Sequence, residues 1–254
     1  MNFQNIPRDD PTVKRAIIPK LGALSFFDYS AIEPRLYGYY ATQVGHPELV
    51  NMVKAGIDPY TAVAQLITEK ESVTKDERQH WKVFFLSLMY GGGMKTIMEQ
   101  FDCNKKTAWG MIDQFHENLP GVKHLQDLTL SQVRKNGHIK GLDGRHLHLE
   151  QWGEHKLLNK LIQGGAAAIM KQATIRVHRQ LKSGNELKGG AVRAHIISIV
   201  HDDLWIDHPV NETAGLHAMI PDLMVHAGVN EVIPIEVEHQ WTTTNAAEKE
   251  VYVG

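Results

Sequence analysis

Apolar residues fall in short unbroken runs near the two ends of the chain and at helical spacing in its middle. Ala23-Leu24-Ser25-Phe26-Phe27 is a strand-like run that ends on Asp28. Ser30 and Glu33 follow at the spacing of a capping box, and Pro34 is tolerated in a first helical turn, so the local order is strand, Asp, helix. From Thr61 to about Phe101 the apolar positions recur with helical period, broken by the polar stretch Glu69 to Glu77 and by Gly91-Gly92-Gly93. Thr107 to Lys135 reads as helical with a break at Pro120-Gly121, and Gly141-Leu142-Asp143-Gly144-Arg145 reads as a tight hairpin turn. A helix over Lys156 to Leu181 comes next. Ala194 to Val200 and Leu204 to Ile206 then form two strands that meet at the acidic tip His201-Asp202-Asp203. A helix over Asn211 to Gly228 and a last strand, Ile233 to Glu238, complete an α+β layout. Its strands lie at both ends of the chain, so the helical middle reads as an insertion between halves of one sheet.

Composition narrows this only a little. A chain of 254 residues with 43% hydrophobic content can bury a sizeable core. The single cysteine, Cys103, excludes an internal disulfide and reads as a packing residue. The first residues contain no apolar signal region, and no stretch reaches the roughly 18 apolar residues of a membrane span. The expectation is a chain without membrane contact, in the cytoplasm. A net charge of −2 offers no electrostatic argument for a nucleic-acid partner, so any such argument rests on sites.

Asp28 at a strand end and Asp202 at a hairpin tip can project towards one point, an arrangement that suits hard divalent cations. An N-cap for Asp28 and a turn role for Asp202 explain the same residues. His195, His201 and His208 lack the spacing of a zinc site, and the β-branched flanks of His201-Asp202 argue against a helical His/Asp phosphohydrolase. Arg78, Lys82, Leu86 and Tyr90 recur every fourth residue and share one drifting helical face. Two like charges one turn apart cost a helix a few tenths of a kcal/mol unless an anion lies between them, which a triphosphate would supply. Pairing with Glu77 or water is the plainer reading. The triple glycine fits no phosphate-binding loop pattern.

Taken in order, these pieces resemble family A DNA polymerases. Asn2-Phe3-Gln4-Asn5-Ile6-Pro7 is similar to the family's N-x-QNIP segment, and Asp28-Tyr29-Ser30-Ala31-Ile32-Glu33 to its motif A. Arg78, Lys82, Leu86, Tyr90 and Gly91 resemble motif B, and Val200-His201-Asp202-Asp203 resembles motif C. Leu142-Asp143-Gly144-Arg145 and Asn159-x3-Gln163-Gly164 fall in the family's order. The resemblance implies a palm built from residues 1–30 and 150–254, with helical fingers from 31–149 inserted between them. It implies two Mg²⁺ ions held by Asp28 and Asp202, with the Tyr29 carbonyl as a further ligand and Asp203 adjacent. Glu33 would be the steric gate against a ribose 2′-hydroxyl. Arg78 and Lys82 would grip the deoxynucleoside triphosphate, Lys82 supplying charge or a proton as pyrophosphate leaves, and Tyr90 would pack beside the new base pair. Gln4, Asn5, Asn159, Gln163 and His201 would contact primer-template DNA.

Four positions depart from the family pattern. Leu86 stands for an aromatic residue, Tyr60 for a His near the phosphates, His155 for an Arg, and Asp203 for a Glu. The chain begins at the N-x-QNIP segment, so the resemblance leaves thumb, exonuclease and the first palm segment unaccounted for. A second polypeptide supplying them, as in a split bacteriophage enzyme, is the expectation. A non-catalytic DNA-binding or regulatory subunit and a single-subunit RNA polymerase core are the alternatives.

Overall fold

The computed structural model describes residues 11–90, 94–148, 153, 156–183 and 193–253. Gln4, Asn5, the triple glycine and His155 lie outside the described residues. The chain divides into two compact units. One takes the chain up to Ile32, Ala167–Ala227 and Ile235 onward, and the other takes Glu33–Ala166 and Gly228–Pro234.

The first unit is built on an antiparallel sheet. Its strands are β1 (Ala23–Tyr29), β4 (His195–Val200), β5 (Asp203–His208), β6 (Val237–Thr242) and β7 (Glu250–Val251), in the order β4-β5-β1-β6-β7. The small strands β2 (His138–Lys140) and β3 (His146–His148) form a separate hairpin in the second unit. β1 is central because nearly every one of its residues is buried, which only a strand flanked and covered on both faces achieves. Leu24, Phe26, Trp205 and Ala246 form the core on one face, with Phe26 and Trp205 edge to face at 5.0 Å. On the other face Ser25 is bonded to two histidines, His208 at 2.7 Å and His239 at 2.8 Å.

Helices α1 (Thr12–Arg15) and α10 (Thr213–Met224) belong to the sheet unit, and α2 (Ile32–Gln43) leads out of it. The helical unit contains α3 (Glu48–Lys54), α4 (Pro59–Thr68), α5 (Lys75–Met89), α6 (Met94–Phe101), α7 (Lys105–Asn118), α8 (Gly121–Asn136) and α11 (Ala227–Asn230) from Gly228 on. The long helix α9 (Leu157–Lys182) runs from the helical unit into the sheet unit. The helical core is aromatic: Phe84 meets Trp81, Phe101 and Phe115 at 5.0–5.7 Å between ring centres.

Several elements differ from the sequence expectation for identifiable reasons. The last strand is β6, beginning at Val237 and not at Ile233. Ile233 is fully buried in the helical unit, where a Cβ added to Gly38 would lie 3.1 Å from its Cδ1, and the Pro234 carbonyl accepts from Arg35 at 2.5 Å. The expected helix over Asn211 to Gly228 is split, because α10 stops at Met224 and Val225 turns extended. Arg176 donates to the Leu223 and Val225 carbonyls, satisfying a helix end that would otherwise be orphaned. α2 begins at Ile32, and Ala31 makes the turn from strand to helix at φ 52° while the Ser30 amide donates to the Glu236 carbonyl. A capping box at Thr74 and Glu77 opens α5.

Candidate active site

Antiparallel pairing of β1 with β5 places Asp28 directly opposite Asp203. Asp202 sits in the preceding turn, which closes through His201 at φ 57°. The Tyr29 amide donates to the Asp202 carbonyl at 3.2 Å, tying the turn to the end of β1. On the other side of β1, β6 sets Glu238 opposite Asp28. Burial, followed by the negative charge of Asp202 and Asp203, pushes the Asp28 carboxyl up to about 7. Burial also raises Asp203, against the pull of Lys249, whose Nζ lies 3.2 Å from Asp203 Oδ2. Tyr29 is itself anchored, its hydroxyl donating to the Met224 carbonyl at 2.7 Å.

The helical unit assembles a different kind of surface. α5 buries Trp81, Phe84, Phe85, Leu88 and Met89 and turns Arg78, Lys82 and Leu86 the other way, where each is half-buried. Glu77 and Arg78 each have other partners. The Glu77 carboxylate is taken by Lys70 at 2.5 Å and by the Thr74 cap, whereas Arg78 makes a fork to Asp58, Nε to Oδ2 at 2.8 Å and Nη2 to Oδ1 at 2.6 Å. Asp58 is fixed in turn as the N-cap of α4, accepting from the Thr61 amide at 2.9 Å and its hydroxyl at 3.1 Å. Burial works to raise Asp58, but the bonds from Arg78 and Thr61 outweigh it and hold the carboxyl below its ordinary range. The Tyr60 ring, 4% exposed, lies under both cations, 5.3 Å from the Arg78 guanidinium carbon and 5.5 Å from Lys82 Nζ.

Tyr90 is the C-cap of the same helix, and its hydroxyl is pushed far up by burial first and by the Glu33 carboxylate next, with Gln163 close enough to act the other way. Glu33, Tyr90 and Gln163 are therefore neighbours. Asn159 precedes Gln163 by one turn of α9 and so shares its face, and its amide oxygen is buried with no hydrogen-bond partner among the described residues. His201 is exposed at the tip of the β4–β5 turn.

Among the described residues no group of three or more His, Cys, Asp or Glu is arranged to hold a metal. Two carboxylates on adjoining strand ends remain, and these are hard oxygen donors of the kind Mg²⁺ uses when substrate phosphates complete its shell. Asp28 is raised by burial first and then by the Asp202 and Asp203 carboxylates, with Lys249 opposing, and a divalent cation would offset that repulsion, so the donor set fits one.

The model of DNA polymerase family A matches residues 1–247. The chain belongs to DNA polymerase family A. It is 25% identical to DNA polymerase I of Bacillus caldotenax over 260 residues, covering 96% of this chain and 28% of that one. Its identity to DNA polymerase I of Chloroflexus aurantiacus is 27% over 251 residues, 93% of this chain and 26% of that one. The mouse DNA polymerase theta is 28% identical over 185 residues, 68% of this chain. The chain thus spans little more than a quarter of the bacterial relatives. The POL domain of Pol1 from M. smegmatis, in complex with DNA primer-template and dNTP, shares the fold with a TM-score of 0.83 and 24% identity, over 96% of this chain and 44% of that one.

Two residues of this family A chain escaped the sequence reading. Asp58 carries no local mark of its fork to Arg78, which spans two helices. Lys249 lies after residue 247, where the family match ends, and nothing in its local sequence points to Asp203.

Proposed function

We propose that this chain carries the nucleotidyl-transfer core of a template-directed DNA polymerase, adding deoxynucleoside triphosphates to a primer 3′ end. The observation that carries the reading is the acidic end of the sheet unit, where Asp28 at the end of β1 lies beside the turn that carries Asp202, close enough for its charge to act on Asp28. Family membership and the naming of the bacterial relatives as DNA polymerase I support it. In this reading the sheet unit is the palm and the helical unit the fingers.

Asp28 and Asp202 would hold two Mg²⁺ ions, with the Tyr29 carbonyl as a further oxygen donor. Bound there, the ions would supply charge neutralisation at the attacking and leaving oxygens. The chain's own groups do the rest. Arg78, oriented by its fork to Asp58, and Lys82 lie over the Tyr60 ring on one helix face and would bind the triphosphate. Lys82 would also donate a proton as pyrophosphate departs. Glu33, beside Tyr90, closes the space a 2′-hydroxyl would need. Asn159, Gln163 and His201 would contact primer-template DNA, together with Gln4 and Asn5.

Primer extension with Mg²⁺ tests the reading. Asp28→Asn and Asp202→Asn each lower the rate by about a thousandfold or more, as loss of a metal-holding carboxylate should. Extension that survives both substitutions refutes it. The need for a second polypeptide is read from the same assay, by comparing product length from the chain alone with that after a thumb-bearing chain is added.

A further inference from the structure

We propose that Lys249 is a positioning residue of the acidic end, holding Asp203 in an ion pair so that only Asp28 and Asp202 are offered to divalent cations. This rests on the metal-site reading above. Asp203 faces Asp28 across the β1–β5 ladder and is therefore the carboxylate best placed to become a third ligand. Its Oδ2 is instead occupied by Lys249 Nζ at 3.2 Å, and the same ammonium lies 4.7 Å over the Phe26 ring. An ammonium is a compact charge that neutralises one carboxylate and repels a nearby cation.

The segment that delivers Lys249 is built and fixed on both sides. Before it, Ala246 is buried in the core cluster of Leu24, Phe26 and Trp205, and its amide donates to the Ile17 carbonyl at 2.9 Å. Asn245 and Thr244 both donate to the Glu248 carboxylate at 3.1 Å, closing a turn directly ahead of the lysine. After it, β7 pairs with β6, Glu250 opposite Trp241 and Val251 opposite Gln240. The Tyr252 amide then donates to the His239 carbonyl at 2.9 Å, and its ring stacks on the His239 imidazole at 4.9 Å. Lys249 lies two residues beyond the last residue of the family match. It also bears on the short side chain at position 203, because an Asp there reaches Lys249 while staying in the sheet.

Mn²⁺ binding to the DNA-free chain, followed by electron paramagnetic resonance of the free ion, tests this without relying on activity. Lys249→Met and Lys249→Gln free Asp203 and remove a repelling charge, so each tightens Mn²⁺ binding by about three- to tenfold, the range expected for one partly exposed charge pair. Lys249→Arg keeps the affinity of the parent. Adding Asp203→Asn to Lys249→Met cancels the gain. In extension assays the two neutral variants lower the Mg²⁺ concentration for half-maximal rate in the same proportion. Unchanged Mn²⁺ affinity in both neutral variants, or a gain that survives Asp203→Asn, overturns the proposal. Asp28→Asn and Asp202→Asn separate the two ideas: if neither weakens Mn²⁺ binding, the metal site itself is wrong. If both weaken it while the Lys249 variants do nothing, only the role of Lys249 fails.

Discussion

Asp58 does two jobs that can be separated by substitution, because Asn keeps one and Ala keeps neither. As the N-cap of α4 it accepts from the Thr61 amide, a function Asn performs about as well and whose loss to Ala costs about 1 kcal/mol. As the forked partner of Arg78 it forms a pair whose side chains are 31% and 36% exposed, so water screens part of the attraction and the fork contributes about 1 kcal/mol. Asp58→Asn should therefore lower stability by about 1 kcal/mol and Asp58→Ala by about 2. Urea denaturation followed by tryptophan fluorescence reports this well, since Trp81 sits in the same helical core. The carboxyl is held below its ordinary value in the folded state, so its contribution is present above the unfolded value of 3.8 and is lost as pH falls through the lower folded value. Both variants should lose that acid-limb dependence. In primer extension, Arg78 without its fork is free to reorient, and the half-saturating deoxynucleotide concentration should change more than the maximal rate does. Equal stability loss in the two variants would show that cap and fork are not separable, and a parent-like Asp58→Asn in both assays would refute the clamp.

Glu33→Ala should raise ribonucleotide incorporation relative to deoxynucleotide by at least about tenfold, measured as a ratio of kcat/KM values, because the carboxylate beside Tyr90 is removed; unchanged selectivity removes Glu33 from the gate. The histidine chain under the sheet gives a pH prediction. His208 donates from Nδ1 to the Pro209 carbonyl, so its Nε2 accepts from Ser25; Ser25 must then accept from His239 Nε2, which leaves His239 Nδ1 to accept from His217. His208 and His239 each donate from one ring nitrogen and accept at the other, so both are neutral. Burial above all, then His217 and His208, pushes His239 down to about 3 from 6.5, so the unfolded chain binds a proton that the folded chain refuses. Stability is full above pH 6.5 and should fall by about 2 kcal/mol on going down to about pH 4.5, after discounting for partial contact with water. His239→Phe, which keeps the stacking on Phe27 and Tyr252, should flatten that slope; a variant as acid-sensitive as the parent rules out this histidine as its source.

The element boundaries that sequence reads well are those set by local chemistry. Pro120-Gly121 divides α7 from α8, Asp143-Gly144 turns the β2–β3 hairpin, and the β-branched run before His201 forms β4. Boundaries set by distant partners leave no such local signal. Ile233 looks like the start of a strand until the helical unit buries it, and α10 looks continuous until Arg176 and Tyr29 capture its last carbonyls. A carbonyl that accepts from a residue dozens of positions away leaves no mark in its own neighbourhood.

The site divides along the same line. The sequence by itself determined the ordered set Asp28, Glu33, Arg78, Lys82, Tyr90 and Asp202, and with it the family, because each residue sits in a local motif whose spacing survives in one dimension. Only the tertiary structure decided which charges meet. Ladder register set Asp203 against Asp28, a helix cap turned Asp58 onto Arg78, and a closing strand carried Lys249 to Asp203. Those pairings arise from backbone hydrogen bonds and core packing between remote segments, and such forces fix direction and distance without requiring any pattern in the sequence around the charges they bring together.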